Sequence, residues 1–293
     1  MRNYDVGSAP RDRDDERGWE VARPRGDASL HGVRMAGFRD RAAAGLDKHV
    51  LPRPAVVIVI GLGDTPFTLE GACGSRRLTG FAASLVPGAT RVRGERVECV
   101  EMHVSPPAAY ALLGVSPQDL GSSVTGLDDL WGRHALHLRE RLTAAPSWRD
   151  RLALMDEFLV RRAARAPSMA PEVAAAWGRI VAGRGRVRVE ELAASCGWSR
   201  KRLWSRFTDQ VGLTPKRAAM LVRFDVAVRA LRAGDGVTDV ALACGYADQS
   251  HLHRDVRAFA GCTPGALASL ATAGGRQPRA ALSPSPPTRG RPT

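Results

Sequence analysis

Nine side chains near the C-terminus form two clusters able to hydrogen-bond nucleobase edges and phosphates. The first is Arg200, Lys201, Trp204 and Ser205, and the second is Gln249, Ser250, His251, His253 and Arg254. Guanidinium and amide groups pair in a fork with guanine and adenine edges in a major groove, hydroxyls serve either base, and lysine grips phosphate as a point charge. Each cluster surrounds an apolar pair four residues apart, Leu203 with Phe207 and Leu252 with Val256. That spacing gives a helix one buried stripe and leaves the opposite face free to read.

The elements that must position these faces are written twice. Val189-Glu-Glu-Leu-Ala-Ala-Ser-Cys-Gly-Trp-Ser199 aligns without gaps on Val237-Thr-Asp-Val-Ala-Leu-Ala-Cys-Gly-Tyr-Ala247 at an offset of 48. Beyond the glycine the offset is 49: Leu203 pairs with Leu252, Phe207 with Val256, Gly212 with Gly261, and Pro215 with Pro264. The sequence therefore predicts one residue added at the start of the second copy's second helix. In each copy a short helix buries Leu192 and Ala193, or Val240 and Ala241, and Gly197 or Gly245 supplies the positive φ of a sharp turn. Cys196 and Cys244 read as small core residues of those turns. Gly-x-Thr-Pro closes each second helix with a left-handed cap and a proline that opens the next helix. From Pro215 to about Leu231, Met220, Phe224, Ala227 and Leu231 mark a core-facing stripe, so a connector on the order of 25 Å long joins the two copies. Such a strut can hold two recognition helices near the roughly 34 Å separation of successive major grooves. A lone helix-turn-helix pattern is more often a packing solution than a reader; the repeat and its strut distinguish this one.

These residues carry a family resemblance. The segment from about Glu172 to Leu270 resembles the DNA-binding domain of AraC-type (AraC/XylS) transcriptional regulators. The second copy is the more diagnostic, through Val240-Ala-Leu-Ala-Cys-Gly-Tyr-Ala-Asp-Gln-Ser-His-Leu252, Arg254 and Gly261-Cys-Thr-Pro264. The resemblance implies base reading by Lys201, Trp204 and Ser205 in the first helix and by Gln249, Ser250, His251, His253 and Arg254 in the second. Where the family places aromatics on the second helix this chain has Leu252 and Val256, with Phe259 one position early, which predicts a rotated or weakly packed helix.

Charge agrees with a polyanionic partner. The chain of 293 residues has 43 Lys plus Arg against 30 Asp plus Glu, a net charge of +13, and its pI is about 10.7. Fifteen basic and nine acidic residues fall between Ser168 and Gly261, so the excess extends into the repeat itself. Residues 273–293 add Arg276, Arg279, Arg289 and Arg291 among Pro and Ser and read as a disordered basic tail. Residues 1–47, opening with Arg11-Asp-Arg-Asp-Asp-Glu-Arg17, read as a disordered arm, with Met35 an alternative start. The apolar run Ala55–Ile60 is far too short for a bilayer, and no charged-then-apolar signal opens the chain. Five scattered cysteines without a C-x-x-C pair fit a reducing compartment, so a cytoplasmic protein without membrane contact is expected.

Residues 48–163 read as a second module. Strands are expected at Ala55–Ile60, Phe67–Leu69, Leu78–Leu85 and Val97–Val104, and helices at Pro107–Leu113, Leu127–Leu142 and from Trp148, the last capped by Ser147 with Asp150. This arrangement is similar to the β-rich module of many such regulators, which implies effector binding or homodimerisation. Gly61-Leu-Gly63-Asp64 has Pro66 where a dinucleotide fingerprint needs glycine, so it reads as a hairpin turn. Cys73 in Gly71-Ala-Cys-Gly-Ser75 only faintly resembles a nucleophile elbow. His134 and His137 share a helical face without a third ligand, and His103, alternating with Met102 and Val104, is expected to face solvent. No catalytic residue, metal or cofactor is expected.

The fold class expected is thus α+β with two domains: a β-rich N-terminal module with helices over 48–163, then an all-α domain over 168–272 of two helix-turn-helix units joined by a helix. The linker Arg161–Pro171, charged and twice interrupted by proline, predicts that the two fold independently. The function expected is sequence-specific regulation of transcription on double-stranded DNA, without enzymatic activity. The alternative, a DNA-acting enzyme such as an alkyl-transfer repair protein, needs a zinc-held cysteine cluster or a Pro-Cys-His acceptor, and neither occurs in the sequence.

Overall fold

A computed structural model describes residues 18–71, 74–86, 90–115, 120 and 124–273, the last five by backbone alone. Cys73 and the tail beyond Ala273 lie outside the described residues. The chain runs β1 (Trp19–Ala22), β2 (Val33–Asp40), β3 (Leu46–Val50), β4 (Val56–Gly61), β5 (Phe67–Gly71), β6 (Gly74–Leu78), β7 (Gly80–Ala83), β8 (Thr90–Gly94), β9 (Glu98–Val104), α1 (Pro106–Leu113), β10 (Val124–Gly126), α2 (Leu127–Trp131), α3 (Arg133–Ala144) and α4 (Trp148–Ala163). Helices follow without a described strand: α5 (Pro171–Ala182), α6 (Val189–Ser195), α7 (Arg200–Val211), α8 (Pro215–Ala233), α9 (Val237–Ala243), α10 (Gln249–Ala260) and α11 (Pro264–Ala273). The β-rich module followed by an all-helical region is the expected fold class.

Two antiparallel sheets form the N-terminal module, one of six strands in the order β1-β2-β9-β4-β7-β10 and one of four in the order β3-β8-β5-β6. Alternation along β9 explains the layering. Val100, Met102 and Val104 join the cluster that includes Leu112, Leu138, Leu142, Met155 and Leu159 of the covering helices. Cys99 joins Trp19, Phe38, Phe67, Phe81 and Val92 in a second cluster between the sheets, where Phe67 and Phe81 meet edge on at 5.6 Å.

This layering corrects three expectations. Residues 19–47 are not a disordered arm: β2 pairs with β9 over Val33–Arg39, in the middle of the sheet. Arg39 is matched across strands, its Nη2 2.6 Å from Glu98 Oε1, and just past the strand Arg41 Nη2 lies 3.1 Å from Glu20 Oε2, so a charged composition hid a paired strand. His103 does not face solvent; it is 3% exposed, because β9 is central and the second sheet covers the face opposite the helices. There its Nε2 lies 2.9 Å from Glu101 Oε1 and 3.2 Å from Arg53 Nη1. Finally, Gly61–Asp64 is a crossover between sheets rather than a hairpin, because β4 and β5 pair with different partners. Arg139 of α3 secures it, donating to the carbonyls of Gly61 (2.9 Å) and Gly63 (2.7 Å).

The expected helix over Leu127–Leu142 breaks in two at Gly132, whose φ of 54° and ψ of −138° suit only a residue without Cβ. The break lets buried Trp131 donate from Nε1 to the Leu112 carbonyl at 3.0 Å and meet Phe158 at 5.3 Å. The helix from Trp148 forms as expected, with Ser147 Oγ accepting from the Asp150 amide at 3.2 Å. Its Trp148 lies against Gly37 of β2, where an added Cβ would come within 2.3 Å of the indole. Arg39 and Arg151 flank that indole at 5.5 and 4.9 Å, and both pair with Glu98.

The two modules are in contact with each other. Buried apolar residues of both belong to one cluster, and α1 contacts both α4 of its own module and α7 of the next. The linker expected to separate them is tied down as well, the Ala170 amide donating to Gln210 Oε1 of α7 at 3.0 Å.

Two outcomes are expected. Gly37→Ala should lower stability by about 1–3 kcal/mol in urea unfolding, because a Cβ there would come within 2.3 Å of the indole and force it to shift; an unchanged midpoint would contradict the packing of α4 on β2. Acid should also destabilise the fold. Burial pushes the Glu98 and Glu101 carboxyls up, but their cationic partners outweigh it and hold both below the ordinary carboxylate range. Burial likewise lowers His103, against the opposing pull of Glu101. All three folded values lie below the unfolded ones, so their contribution is present above the ordinary imidazole range and is lost as pH falls, first through His103 and then through the carboxylates. Glu98→Gln should flatten the acid limb of the stability–pH curve.

Candidate DNA-reading surface

The repeat predicted from sequence is also a repeat of backbone hydrogen bonds. In the first turn the Trp198 amide donates to the Ala193 carbonyl at 3.0 Å and Gly197 to Ala194 at 3.1 Å. In the second, Tyr246 donates to Ala241 at 2.9 Å and Gly245 to Leu242 at 3.1 Å. The glycines take φ of 64° and 75°. Gly245 is confined further, since a Cβ there would meet Arg186 Cδ at 2.7 Å, and Arg186 Nη2 donates to the Ala243 carbonyl at 2.9 Å. The loop between α5 and α6 thus braces the second turn.

Beyond the turns the correspondence moves to 49. Ser199 Oγ accepts from the Arg202 amide at 3.2 Å, and Asp248 Oδ1 accepts from the His251 amide at 2.7 Å. Both helices have twelve residues, and each ends in a left-handed glycine, Gly212 or Gly261. The added residue is therefore Ala247, in the turn ahead of the cap, and not at the start of the helix as the sequence alignment suggested. Both readers keep equal length and equal caps.

With this register the candidate residues become equivalent pairs: Arg200 with Gln249, Lys201 with Ser250, Trp204 with His253, and Ser205 with Arg254. All eight are exposed on the first two turns of their helices, and Trp204 is 54% exposed despite its size. Arg200 is held by Glu190 of α6, Nη1 to Oε1 at 3.0 Å. Gln249 Nε2 donates to Thr238 Oγ1 of α9. His251 differs from the other eight candidates. It is half-buried, edge on to Tyr246 at 5.1 Å and with Nε2 3.4 Å from Arg223 Nη2, so its ring turns toward the fold. Its equivalent, Arg202, stacks on Trp198 at 4.7 Å.

Opposite these faces Leu203, Phe207, Leu252 and Val256 are fully buried. The second helix is neither rotated nor loose: Phe259 is 8% exposed and packs on Phe224 of α8 with ring centroids 5.0 Å apart. One position early proves to be the position that faces the strut. Sequence reasoning passed over Arg206 and Arg257, exposed cations further along α7 and α10, and Arg223 on α8. Only Arg257 follows from the helical face already named; Arg206 occupies the position equivalent to Asp255, to the side of that face, and Arg223 gives no local signal, because its partners lie about thirty residues away. His134 and His137 are exposed on α3, and among the described residues no group of three potential ligands could hold a metal ion. No described helix is long and apolar enough to cross a membrane.

A family model described as a helix-turn-helix domain matches residues 192–269. An uncharacterised HTH-type transcriptional regulator of Bacillus subtilis, YbfI, is 35% identical over 66 residues, 22% of this chain. The match spans 24% of that protein's length. Among solved structures, ToxT of Vibrio cholerae O395 aligns over 83% of this chain and 99% of its own at 10% identity and a TM-score of 0.47. The DNA-binding domain of the global transcriptional factor AdpA, solved with a target DNA, aligns over 36% of this chain and 96% of its own at 26% identity and a TM-score of 0.34. With the turn geometry repeated in both units, residues 192–269 of this chain form a tandem helix-turn-helix domain, whose signature from Val240 to Pro264 resembles that of AraC-type regulators.

Proposed function

We propose that the protein is a sequence-specific transcriptional regulator in which α7 and α10 enter successive major grooves on one face of a duplex. The observation that carries this reading is the equivalence of the two exposed faces: same length, same caps, and hydrogen-bonding or cationic groups at matching positions. The strut α8 has nineteen residues, about 28 Å at the rise of an α-helix, which suits two readers on adjacent grooves. Arg254 offers a forked donor for a guanine edge, and Gln249 an amide that donates to adenine N7 while accepting from its N6 amino group. Lys201 suits a phosphate, and Trp204 offers an apolar face to a thymine methyl or a sugar. The role is binding rather than catalysis. The alternative of an alkyl-transfer enzyme finds no support: of the four described cysteines, Cys99 and Cys244 are buried and Cys196 and Cys262 half-buried, and burial pushes the thiols of Cys99, Cys244 and Cys262 up.

The β-rich module would act on DNA binding through its contact with the first reader, α1 against α7. A small-molecule effector or homodimerisation would change that contact, and either would operate without the modules having to come apart.

Sites selected from a randomised duplex pool test the reading residue by residue. Arg254→Ala should cost about 1–3 kcal/mol on the preferred site and relax selection at one base pair. Lys201→Ala should weaken all sites alike and reduce the salt slope by about 1. Unchanged affinity and selection in both variants would remove these helices from the DNA interface.

A further inference from the structure

Arg223 lies on α8 facing α10, and its side chain is 15% exposed. Its Nη2 donates to Asp255 Oδ2 at 3.2 Å, and the Asp255 side chain is only 5% exposed. The same Nη2 lies 3.4 Å from His251 Nε2; a guanidinium only donates, so the ring nitrogen facing it accepts. The guanidinium also sits over Tyr246, 4.6 Å from the ring centroid, and Tyr246 meets His251 edge on at 5.1 Å. One cation from the strut therefore touches the turn and the second reader at two successive helical turns.

The first unit has no such latch. At the position equivalent to Asp255 it carries Arg206, which is exposed, and at that of His251 it carries Arg202, stacked on Trp198 at 4.7 Å. Stability does not call for the latch, since a buried ion pair adds little over apolar groups of similar size. What such a pair supplies is directionality: the apolar contacts of Leu252, Val256 and Phe259 hold α10 down, while the hydrogen bonds that one guanidinium nitrogen, Nη2, makes to Asp255 and His251 fix its rotation.

We propose that Arg223 is a positioning residue for specificity, setting the angle at which α10 presents Gln249, His253 and Arg254 to base edges without itself contacting DNA. This rests on α10 being a groove reader.

The test is selection of sites from a randomised duplex pool by the full chain, the Arg223→Lys variant, and the paired Arg223→Met/Asp255→Met variant. The pair leaves no buried charge unmatched and should fold, as a cooperative urea transition checks. Both variants should keep the preference of the first half-site and lose about tenfold of the discrimination at the second, the loss expected when a forked base contact is misaligned. Lysine keeps the charge but not the planar group that lies over Tyr246 while donating to α10, so a lysine variant matching the full chain at both half-sites would overturn the proposal. A uniform loss of affinity with second-site preference intact would overturn it too, leaving Arg223 a stabilising residue only. If the unaltered chain itself shows no preference at a second half-site, the groove-reading role of α10 fails with it, and that outcome is read before any variant is compared.

Discussion

The burial of α8 on nearly all its sides is the constraint on which the DNA-binding region depends. Pro215, Ala218, Leu221, Val222, Phe224, Ala227, Val228 and Leu231 are buried around its circumference, and a helix apolar on all sides is stable only inside a core. It contacts α5, α7, α9, α10 and α11. Each side chain of the size of Phe224 or Leu221 contributes about 1.5–3 kcal/mol by leaving water. Both α7 and α10 are thus seated on one buried helix. Three of the charged side chains on this helix are paired: Arg229 with Asp225 at 3.1 Å and Arg223 with Asp255 at 3.2 Å.

The repeat was legible because each of its parts has a local chemical cause. Glycine at a positive φ, a small residue before it and an aromatic after it fix the turn, and Gly-x-Thr-Pro fixes the end of the reader. What alignment could not place was the single added residue. Only the caps, Ser199 and Asp248, show that Ala247 is absorbed in the turn, and this keeps both readers in phase. The fate of His251 was equally hidden. By spacing it belongs to the reading face, yet Arg223, twenty-eight residues earlier, draws it toward the strut. Phe259 looked misplaced for the same reason, since its partner Phe224 is on another helix.

The N-terminal module was less legible, because its strands are buried on both sides and charged across them. β2 carries Arg34 and Arg39 among apolar residues, and a count of charges reads such a stretch as an arm. Cross-strand partners make it a strand. His103 and Glu101 were hidden likewise: alternation implies a solvent side only where a sheet has one, and the second sheet removes it. The same layering brings α1 to α7, so that a change in the module has a short physical route to the first reader, through packed side chains rather than through the linker.

The central claim is that one chain reads two grooves at a separation fixed by α8. Affinity measured on a selected site, and on the same site with half a helical turn of DNA, about five base pairs, inserted between its two halves, tests it most directly. The account predicts that the insertion reduces binding to that of one half-site alone, because the strut cannot lengthen or rotate to follow. Equal affinity on both duplexes would contradict it.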